Sequence, residues 1–138
     1  MVITKDEIVP VRSPEDIVRV RQAVRNWAID LGFGLVDQTK LVTAASELAR
    51  NTVNYGGGGT VRMGALTNAA HSGLQLIFED HGPGIADVEL ALQDGYTTGD
   101  GLGLGLGGAR RLANEFEILS HPGEGTRVRI VRWTREIC

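Results

Sequence analysis

The sequence has a single cysteine, Cys138, at its last position. One cysteine excludes an intramolecular disulfide framework and argues against a cysteine-based zinc site. No apolar run approaches the roughly 18 residues that a membrane-spanning helix needs. Lys5, Asp6 and Glu7 stand where a secretory signal peptide requires an apolar core. Together these absences favour a cytoplasmic protein.

The chain also lacks an excess of positive charge. Its 14 lysines and arginines stand against 17 aspartates and glutamates, which gives a formal net charge of −3. This balance provides no general attraction to nucleic acid or to an anionic membrane, so we expect proteins or small molecules as partners. With 42% hydrophobic residues, the 138-residue chain can build one sizeable core. We therefore expect a single domain over residues 1–138.

Glycine, by contrast, is abundant, and six of the 19 glycines fall between Gly99 and Gly108. Each glycine costs roughly 0.8 to 1 kcal/mol relative to alanine in a helix, so such a tract suits backbone that must move, adopt positive φ or approach a ligand closely. A helix beginning at its far end would point free N–H groups at whatever the loop encloses. The interleaved leucines favour a phosphate-cradling loop, and a flexible linker is the alternative.

Periodicity and turn residues divide the chain into strands and helices. Strands are predicted at 3–11, 60–66, 74–79, 116–120 and 126–133, and helices from Pro14 to a stop at Gly32, then at 36–55, 87–93 and 107–115. Val128 and Ile130 alternate with arginines, which indicates one buried sheet face. The pattern predicts an α+β fold, a two-layer sandwich with helices on one side of a mixed, mostly antiparallel sheet.

Two segments carry polar residues that could serve a ligand. Glu47 and Asn51 are four residues apart on the second predicted helix and therefore point the same way, although an ordinary solvated face is the alternative. Asp80 ends a strand and precedes a sharp turn with Gly82 and Gly84. Its carboxylate could accept from adenine's amine and would disfavour guanine, which presents a carbonyl there. Alternatively, Asp80 bonds only its own turn.

The three histidines suggest no metal site. His71, His81 and His121 fall in turn-like stretches without metal-ligand spacing, and we interpret them as solvated turn residues. The glycine tract matches neither standard nucleotide loop well. The segment Gly103-x-Gly105-x-x-Gly108 does not directly follow a strand, as a dinucleotide fingerprint would, and no lysine completes a Walker A loop.

Four motifs in a fixed order fit better. They are Glu47 with Asn51 on a helix, Asp80-x-Gly82-x-Gly84 after a strand, the glycines of 101–108 before a helix, and Gly123-Glu124-Gly125-Thr126 opening a strand. In this order they resemble the GHKL ATP-binding superfamily of DNA gyrase, heat-shock chaperones, histidine kinases and mismatch-repair ATPases. Together with Asp37-Gln38, the segment Ser46-Glu47-Leu48-Ala49-Arg50-Asn51 most resembles the RsbT-type switch kinases of the stressosome, which belong to the anti-sigma-factor kinases. The resemblance covers the chain from about Asp6 to Trp133.

The resemblance implies a GHKL (Bergerat) ATP-binding kinase domain with ATP and Mg²⁺ as ligands. Glu47 would be the catalytic base, and Asn51 would ligate the Mg²⁺ ion that bridges the phosphates, as a side-chain carbonyl can. Asp80 would accept from the adenine amine, with Thr126 beside it. The implied glycines are Gly82 and Gly84, where the backbone would approach the nucleotide, and Gly101, Gly103, Gly105 and Gly107 in a lid over the phosphates. Arg50 also fits the pattern and could pair with a carboxylate.

The resemblance also implies a function. The chain would transfer the γ-phosphate of ATP to a serine or threonine of a STAS-domain partner in a bacterial stress-response switch that regulates a sigma factor. Once released, it would activate a PPM-family phosphatase. The alternative is an anti-sigma factor, or a protein-binding module of the same fold that uses nucleotide only to set its shape.

If the glycines of 99–108 close over phosphates, amide hydrogen exchange in this tract should slow when Mg·ATP is added, because closure protects exposed N–H groups. Hydrogen-exchange mass spectrometry with and without Mg·ATP measures this. Exchange that stays the same while ATP is bound would identify the tract as a linker.

Overall fold

The structure is a computed structural model of the chain, and it describes residues 2–69, 71–92 and 105–134. Its strands are β1 (Val2–Val11), β2 (Gly59–Asn68), β3 (His71–Asp80), β4 (Glu115–His121) and β5 (Gly125–Trp133). Its helices are α1 (Pro14–Asp30), α2 (Leu35–Asn54), α3 (Val88–Ala91) and α4 (Gly105–Arg111). Residues 101 and 103 of the expected lid, like most of the glycine tract, lie outside the described residues.

The strands form one five-stranded sheet in the order β1-β2-β3-β5-β4. The expected α+β two-layer architecture is confirmed, but each of the four pairings between described strands is antiparallel, so the sheet is not mixed. The reason is the position of β5. Strand β5 folds back from β4 and lies between β4 and β3. Strands β3 and β4 run parallel to each other, but β5 separates them and they do not pair.

The core lies between one sheet face and the helices. Val61, Phe78 and Val128 stand in register on β2, β3 and β5, and each is at most 4% exposed. Helix α2 packs on this face and on α1 and α4. The residues of α2 that share its core-facing side are buried, as their helical spacing predicts: Leu41, Ala44, Ala45, Leu48 and Thr52.

Helix α1 begins where its sequence predicts. Ser13 is the N-cap and accepts from the backbone N–H of Asp16, and Pro14 occupies the first helical position. Asp16 is itself buried, and its Oδ2 accepts from the Arg12 N–H at 3.0 Å. This bond, with help from Arg19 at 2.9 Å, lowers the pKa of the Asp16 carboxyl below its ordinary value. The ionised carboxylate thus joins the end of β1 to the first turn of α1.

Several boundaries differ from the sequence prediction, most clearly at the turn between β2 and β3 and at the end of α4. The β2–β3 hairpin continues to Asn68 and His71, so its turn is much shorter than the predicted segment from Thr67 to Gly73. His71 is therefore a strand residue, not a solvated turn residue, and its Nδ1 lies 2.9 Å from the Thr134 carbonyl oxygen. This pairing with the end of β5 extends the hairpin beyond what local turn residues indicate.

Helix α4 also ends four residues before the predicted Glu115. Asn114 explains the early stop, because its N–H donates to the Val131 carbonyl and its Oδ1 accepts from the Trp133 N–H. These hydrogen bonds hold Asn114 beside β5, and the chain continues from there as β4. None of the helices in the described ranges is long and apolar enough to cross a membrane.

The Asp16 contacts predict a pH-dependent stability. Asp16→Asn should lower the melting temperature at neutral pH, because the amide cannot replace the ionised acceptor. Since the folded-state pKa lies below the unfolded value, the parent loses this contribution as the pH falls below about 4. The melting temperatures of parent and variant should therefore converge in acid. Calorimetry across this range tests it, with Glu15→Gln in the same turn as an exposed control. If the difference in melting temperature between parent and variant does not change with pH, the charge of Asp16 does not contribute to stability.

Candidate functional site

A cavity of about 440 Å³ opens at the end of the sheet where β3 ends and β5 begins. Its volume falls within the range of roughly 300 to 1,000 Å³ that is typical of small-molecule sites. Five apolar side chains, from α2, β3, the turn after β3, α4 and β5, form much of its wall: Leu48, Phe78, Ile85, Leu106 and Val128. Asn51, Asp80 and Thr126 provide polar groups. A largely apolar wall with a few convergent polar groups suits an aromatic ring that carries hydrogen-bonding atoms.

Asp80 is the most constrained polar residue of this cavity. It is 9% exposed, and its Oδ1 accepts from the backbone N–H groups of Gly82 at 2.9 Å and Thr126 at 3.3 Å. The alternative interpretation was that Asp80 bonds only its own turn. The carboxylate does accept a hydrogen bond from that turn, but Asp80 also lines the cavity. Among the described residues Oδ2 has no hydrogen-bond partner. One oxygen thus fixes the carboxylate, and the other can accept from a ligand.

Glycines bring the segments around Asp80 close together. A Cβ on Gly82 would lie 2.7 Å from the Gly56 Cα, and a Cβ on Gly56 would lie 2.6 Å from the Asp80 Cβ. Gly84 and Gly125 adopt positive φ of 78° and 105°. Gly84 lines the cavity, whereas Gly82 does not and instead packs against Gly56. Only glycine fits at such contacts.

Sequence reasoning missed two of these glycines as site residues. The sequence indicates for Gly56 only a stop to the predicted helix at 36–55, and for Gly125 only a place in the strand-opening motif Gly123-Glu124-Gly125-Thr126. A Cβ on Gly125 would meet the Asp80 carbonyl oxygen. The run of four glycines at 56–59 was the available signal, because a helix stop alone needs only one.

The two candidate residues of α2 differ in their surroundings. Asn51 lines the cavity, while Glu47, one turn earlier, does not. Glu47 is only 4% exposed, so the solvated-face alternative is wrong for it. Its Oε1 accepts from Arg50 Nη1 at 2.6 Å, which confirms that Arg50 pairs with a carboxylate. Glu47 is thus a buried, ion-paired carboxylate next to the cavity.

Thr126 opens β5 directly opposite Asp80. Its Oγ1 lies 2.8 Å from the hydroxyl of Ser120 on β4, and that hydroxyl also accepts from the Ile85 N–H at 2.7 Å. Ser120 therefore joins the turn after β3 to the start of β5. Sequence reasoning missed it, because a serine near the end of an edge strand carries no motif.

The remaining predicted residues are placed as follows. Gly105 begins α4 and lines the cavity, and Gly107 is buried within the same helix. Gly101 and Gly103 lie outside the described residues. Within the described ranges, no group of three or more histidine, cysteine and acidic side chains could hold a metal ion. A cation here would need the Asn51 amide oxygen together with ligands that the bound molecule brings, as phosphates do for Mg²⁺.

Comparison with known proteins identifies the family. Residues 36–136 match the family of histidine kinase-, DNA gyrase B- and HSP90-like ATPases. The chain belongs to this family. All the residues that line the cavity fall within the matched range, from Leu48 to Val128.

Relatives place the chain more narrowly within the family. It is 47% identical over 120 residues to the serine/threonine-protein kinase RsbT of Bacillus subtilis (strain 168), which covers 87% of this chain and 90% of the relative. The resemblance to RsbT-type kinases is thereby confirmed, and the chain is an ATP-dependent protein kinase of this type. It is also 31% identical over 119 residues to an anti-sigma F factor of Thermoanaerobacter sp. (strain X514), covering 82% of each chain.

Among solved structures, the RsbU and RsbW domains of a Mycobacterium tuberculosis protein are similar, with a TM-score of 0.62 and 22% identity. The match covers 98% of this chain but only 35% of that one. At this identity the similarity shows the fold alone.

The packing around Gly56 predicts a local effect of mutation. Gly56→Ala should lower the free energy of unfolding by about 1–3 kcal/mol, because its Cβ needs the space of the Asp80 carboxylate. It should also weaken ATP binding, since Asp80 must shift. Denaturant unfolding and calorimetry measure the two effects. Gly34→Ala is the control, because a Cβ there meets nothing within 4 Å. Equal ATP affinities of the two variants would contradict the assigned role of Gly56.

Proposed function

We propose that the chain transfers the γ-phosphate of ATP to a serine or threonine of a STAS-domain protein, in a stress-response switch that regulates a sigma factor. We further propose that the released kinase activates a PPM-family phosphatase. The observation that carries this proposal is the cavity, in which the fixed Asp80 carboxylate and the Asn51 amide lie on apolar walls. The similarity to RsbT over nearly the whole chain supports it.

The cavity suits ATP in one orientation. Asp80 Oδ2 would accept from the adenine amine, with Leu48, Phe78 and Val128 against the ring. The triphosphate would extend towards Asn51, whose amide oxygen would help to hold Mg²⁺. When bound, the metal would neutralise phosphate charge, which phosphoryl transfer requires. Gly101, Gly103, Gly105 and Gly107 would contribute backbone N–H groups to the phosphates.

Glu47 would act as the base. Arg50 occupies its Oε1, which leaves Oε2 to accept the proton of the attacking hydroxyl. Glu47 and Asn51 lie one turn apart, so a hydroxyl near the metal-bound phosphate would be within reach of both.

The competing function is that of an anti-sigma factor, which uses the same fold to sequester a sigma factor. The similarity to the Thermoanaerobacter anti-sigma F factor favours it. The two functions predict different products. Incubation of the purified chain with a STAS-domain protein and labelled ATP should add one phosphate to that protein if the kinase proposal holds, whereas sequestration would appear as a stable complex with a sigma factor.

Substitutions on α2 should separate binding from chemistry. Glu47→Gln should retain most ATP affinity but slow phosphorylation of the STAS partner by about 10² to 10⁴-fold, the usual contribution of a general base. Asn51→Ala should lose Mg²⁺-dependent binding and transfer together. Calorimetry and a single-turnover phosphorylation assay measure the two properties.

Thr43→Ala provides a matched control, because Thr43 lies on the same helix face one turn before Glu47 and does not line the cavity. It should leave both properties close to those of the parent. An unchanged phosphorylation rate in Glu47→Gln would exclude Glu47 as the base.

A further inference from the structure

Helices α2 and α4 lie side by side and run in opposite directions. Leu106, near the start of α4, lines the cavity together with Asn51 in the second half of α2. The Arg132 guanidinium donates both to the carbonyl of Leu112, just past the end of α4, and to Asp37 in the first turn of α2. The end of α4 therefore lies beside the start of α2.

Helix α2 is described over its whole length, and the only charges that it exposes are positive. Lys40 is partly exposed, and the side chain of Arg50 is 28% exposed. The two acidic residues of the helix, Asp37 and Glu47, are at most 5% exposed, and each is paired with an arginine. The helix thus presents its basic side chains to solvent and keeps its carboxylates inside.

The end of α4 adds to this positive surface. Arg110 and Arg111 are both exposed, and the seven residues of α4 include no acidic one. Since the end of α4 lies beside the start of α2, these arginines lie on the same side of the molecule as Lys40. We call Lys40, Arg50, Arg110 and Arg111 together the basic surface.

This uniform charge contrasts with the rest of the helical layer. Helix α1 exposes both signs, with Glu15 and Asp30 as well as Arg19 and Arg21. The whole chain has a net charge of −3. A surface that serves only solubility usually mixes the two signs, as α1 does. A patch of one sign, opposite to that of the whole chain, indicates a ligand of complementary charge.

The position of Glu47 suggests what this ligand is. Glu47 does not line the nucleotide cavity, and Arg50 is the more exposed member of their ion pair. A base must come within hydrogen-bond reach of the proton that it accepts. With ATP in the cavity, a hydroxyl on another protein would have to approach Glu47 from the outer side of α2. That side is the basic surface.

We propose that the basic surface docks an acidic face of the phosphoacceptor protein, next to the serine or threonine that receives the phosphate. The inference rests on the proposed kinase function, with Glu47 as the base. Complementary charges at the edge of an interface speed the encounter and fix the orientation of the partners. Lys40 and Arg110 would therefore guide the acceptor hydroxyl towards Glu47 without contacting the nucleotide.

Removal of two charges tests the proposal. In steady-state phosphorylation of a STAS-domain protein, the double variant Lys40→Gln/Arg110→Gln should raise the KM for that protein by about two- to tenfold, as the loss of two exposed ion pairs would. The kcat and the affinity for Mg·ATP, measured by calorimetry, should stay at the parent values. Added salt should raise the KM of the parent more than that of the variant, because salt screens exposed charges.

Arg62→Gln/Arg127→Gln is the matched control, because it removes the same charge from the other face of the sheet. Arg62 is exposed between the core residues Val61 and Met63, and Arg127 precedes the core residue Val128, so both arginines point away from the helices. The control should keep the parent KM. An equal rise of KM in both double variants would show that net charge alone matters and would overturn the proposal.

A second measurement does not depend on phosphorylation. Fluorescent poly-L-glutamate should bind the parent and the control at low salt and bind the Lys40→Gln/Arg110→Gln variant more weakly, as anisotropy would show. Equal binding by all three would overturn the proposal. Random-sequence duplex DNA that binds more tightly than polyglutamate, and is lost in the same variant, would assign the surface to nucleic acid. If the parent phosphorylates no STAS-domain protein, the proposed function fails, and the polyglutamate result still decides whether the surface binds an acidic ligand.

Discussion

The close approach of the end of α2 to the end of β3 is the contact on which the cavity depends. Gly56 lies against Asp80 and Gly82 at distances that leave no room for a Cβ. Because backbone packs directly on backbone there, the helix can present Asn51 to the cavity while the strand presents Asp80 to the same space. A side chain at Gly56 or Gly82 would separate the two elements.

Asp80 is the polar group that this packing places at the cavity. Its Oδ1 is held by two backbone N–H groups, one from its own turn and one from the start of β5. A carboxylate held in this way loses little conformational freedom when it binds a ligand, and a pre-organised acceptor discriminates better than a mobile one. The hydroxyls of Ser120 and Thr126 are also held together, 2.8 Å apart, by the pairing of β4 and β5.

Glu47 and Arg50 form an ion pair on the same helix, next to the cavity. The carboxylate is buried and ion-paired, which would be costly for a residue that served only stability, because a buried ion pair often stabilises no more than apolar residues would. Both residues lie outside the cavity wall, one turn or less from Asn51. The helix spacing thus places a carboxylate next to the cavity without exposing it to solvent.

Much of the fold followed from local patterns. Ser13 and Pro14 marked the start of α1, alternation at Val128 and Ile130 marked a buried sheet face, and four motifs in order indicated the ATPase family. Local patterns predicted the wrong boundaries where residues form hydrogen bonds with segments that are distant in the sequence. Asn114 ends α4 early because Val131 and Trp133 provide hydrogen bonds from another strand. His71 became a strand residue because the end of β5 lies beside it.

The sequence by itself determined the family, the order of the elements and the residue types available for nucleotide chemistry, since these depend on spacing along the chain. Only the tertiary structure decided which atoms of those residues remain available. In the folded chain Gly82 packs against Gly56, and Ser120 lies beside Thr126. Hydrogen bonds occupy one carboxylate oxygen of Asp80 and one of Glu47. The physical reason is that hydrogen bonds and backbone contacts between distant segments depend on sheet order and register, and in this sheet β5 lies between β3 and β4.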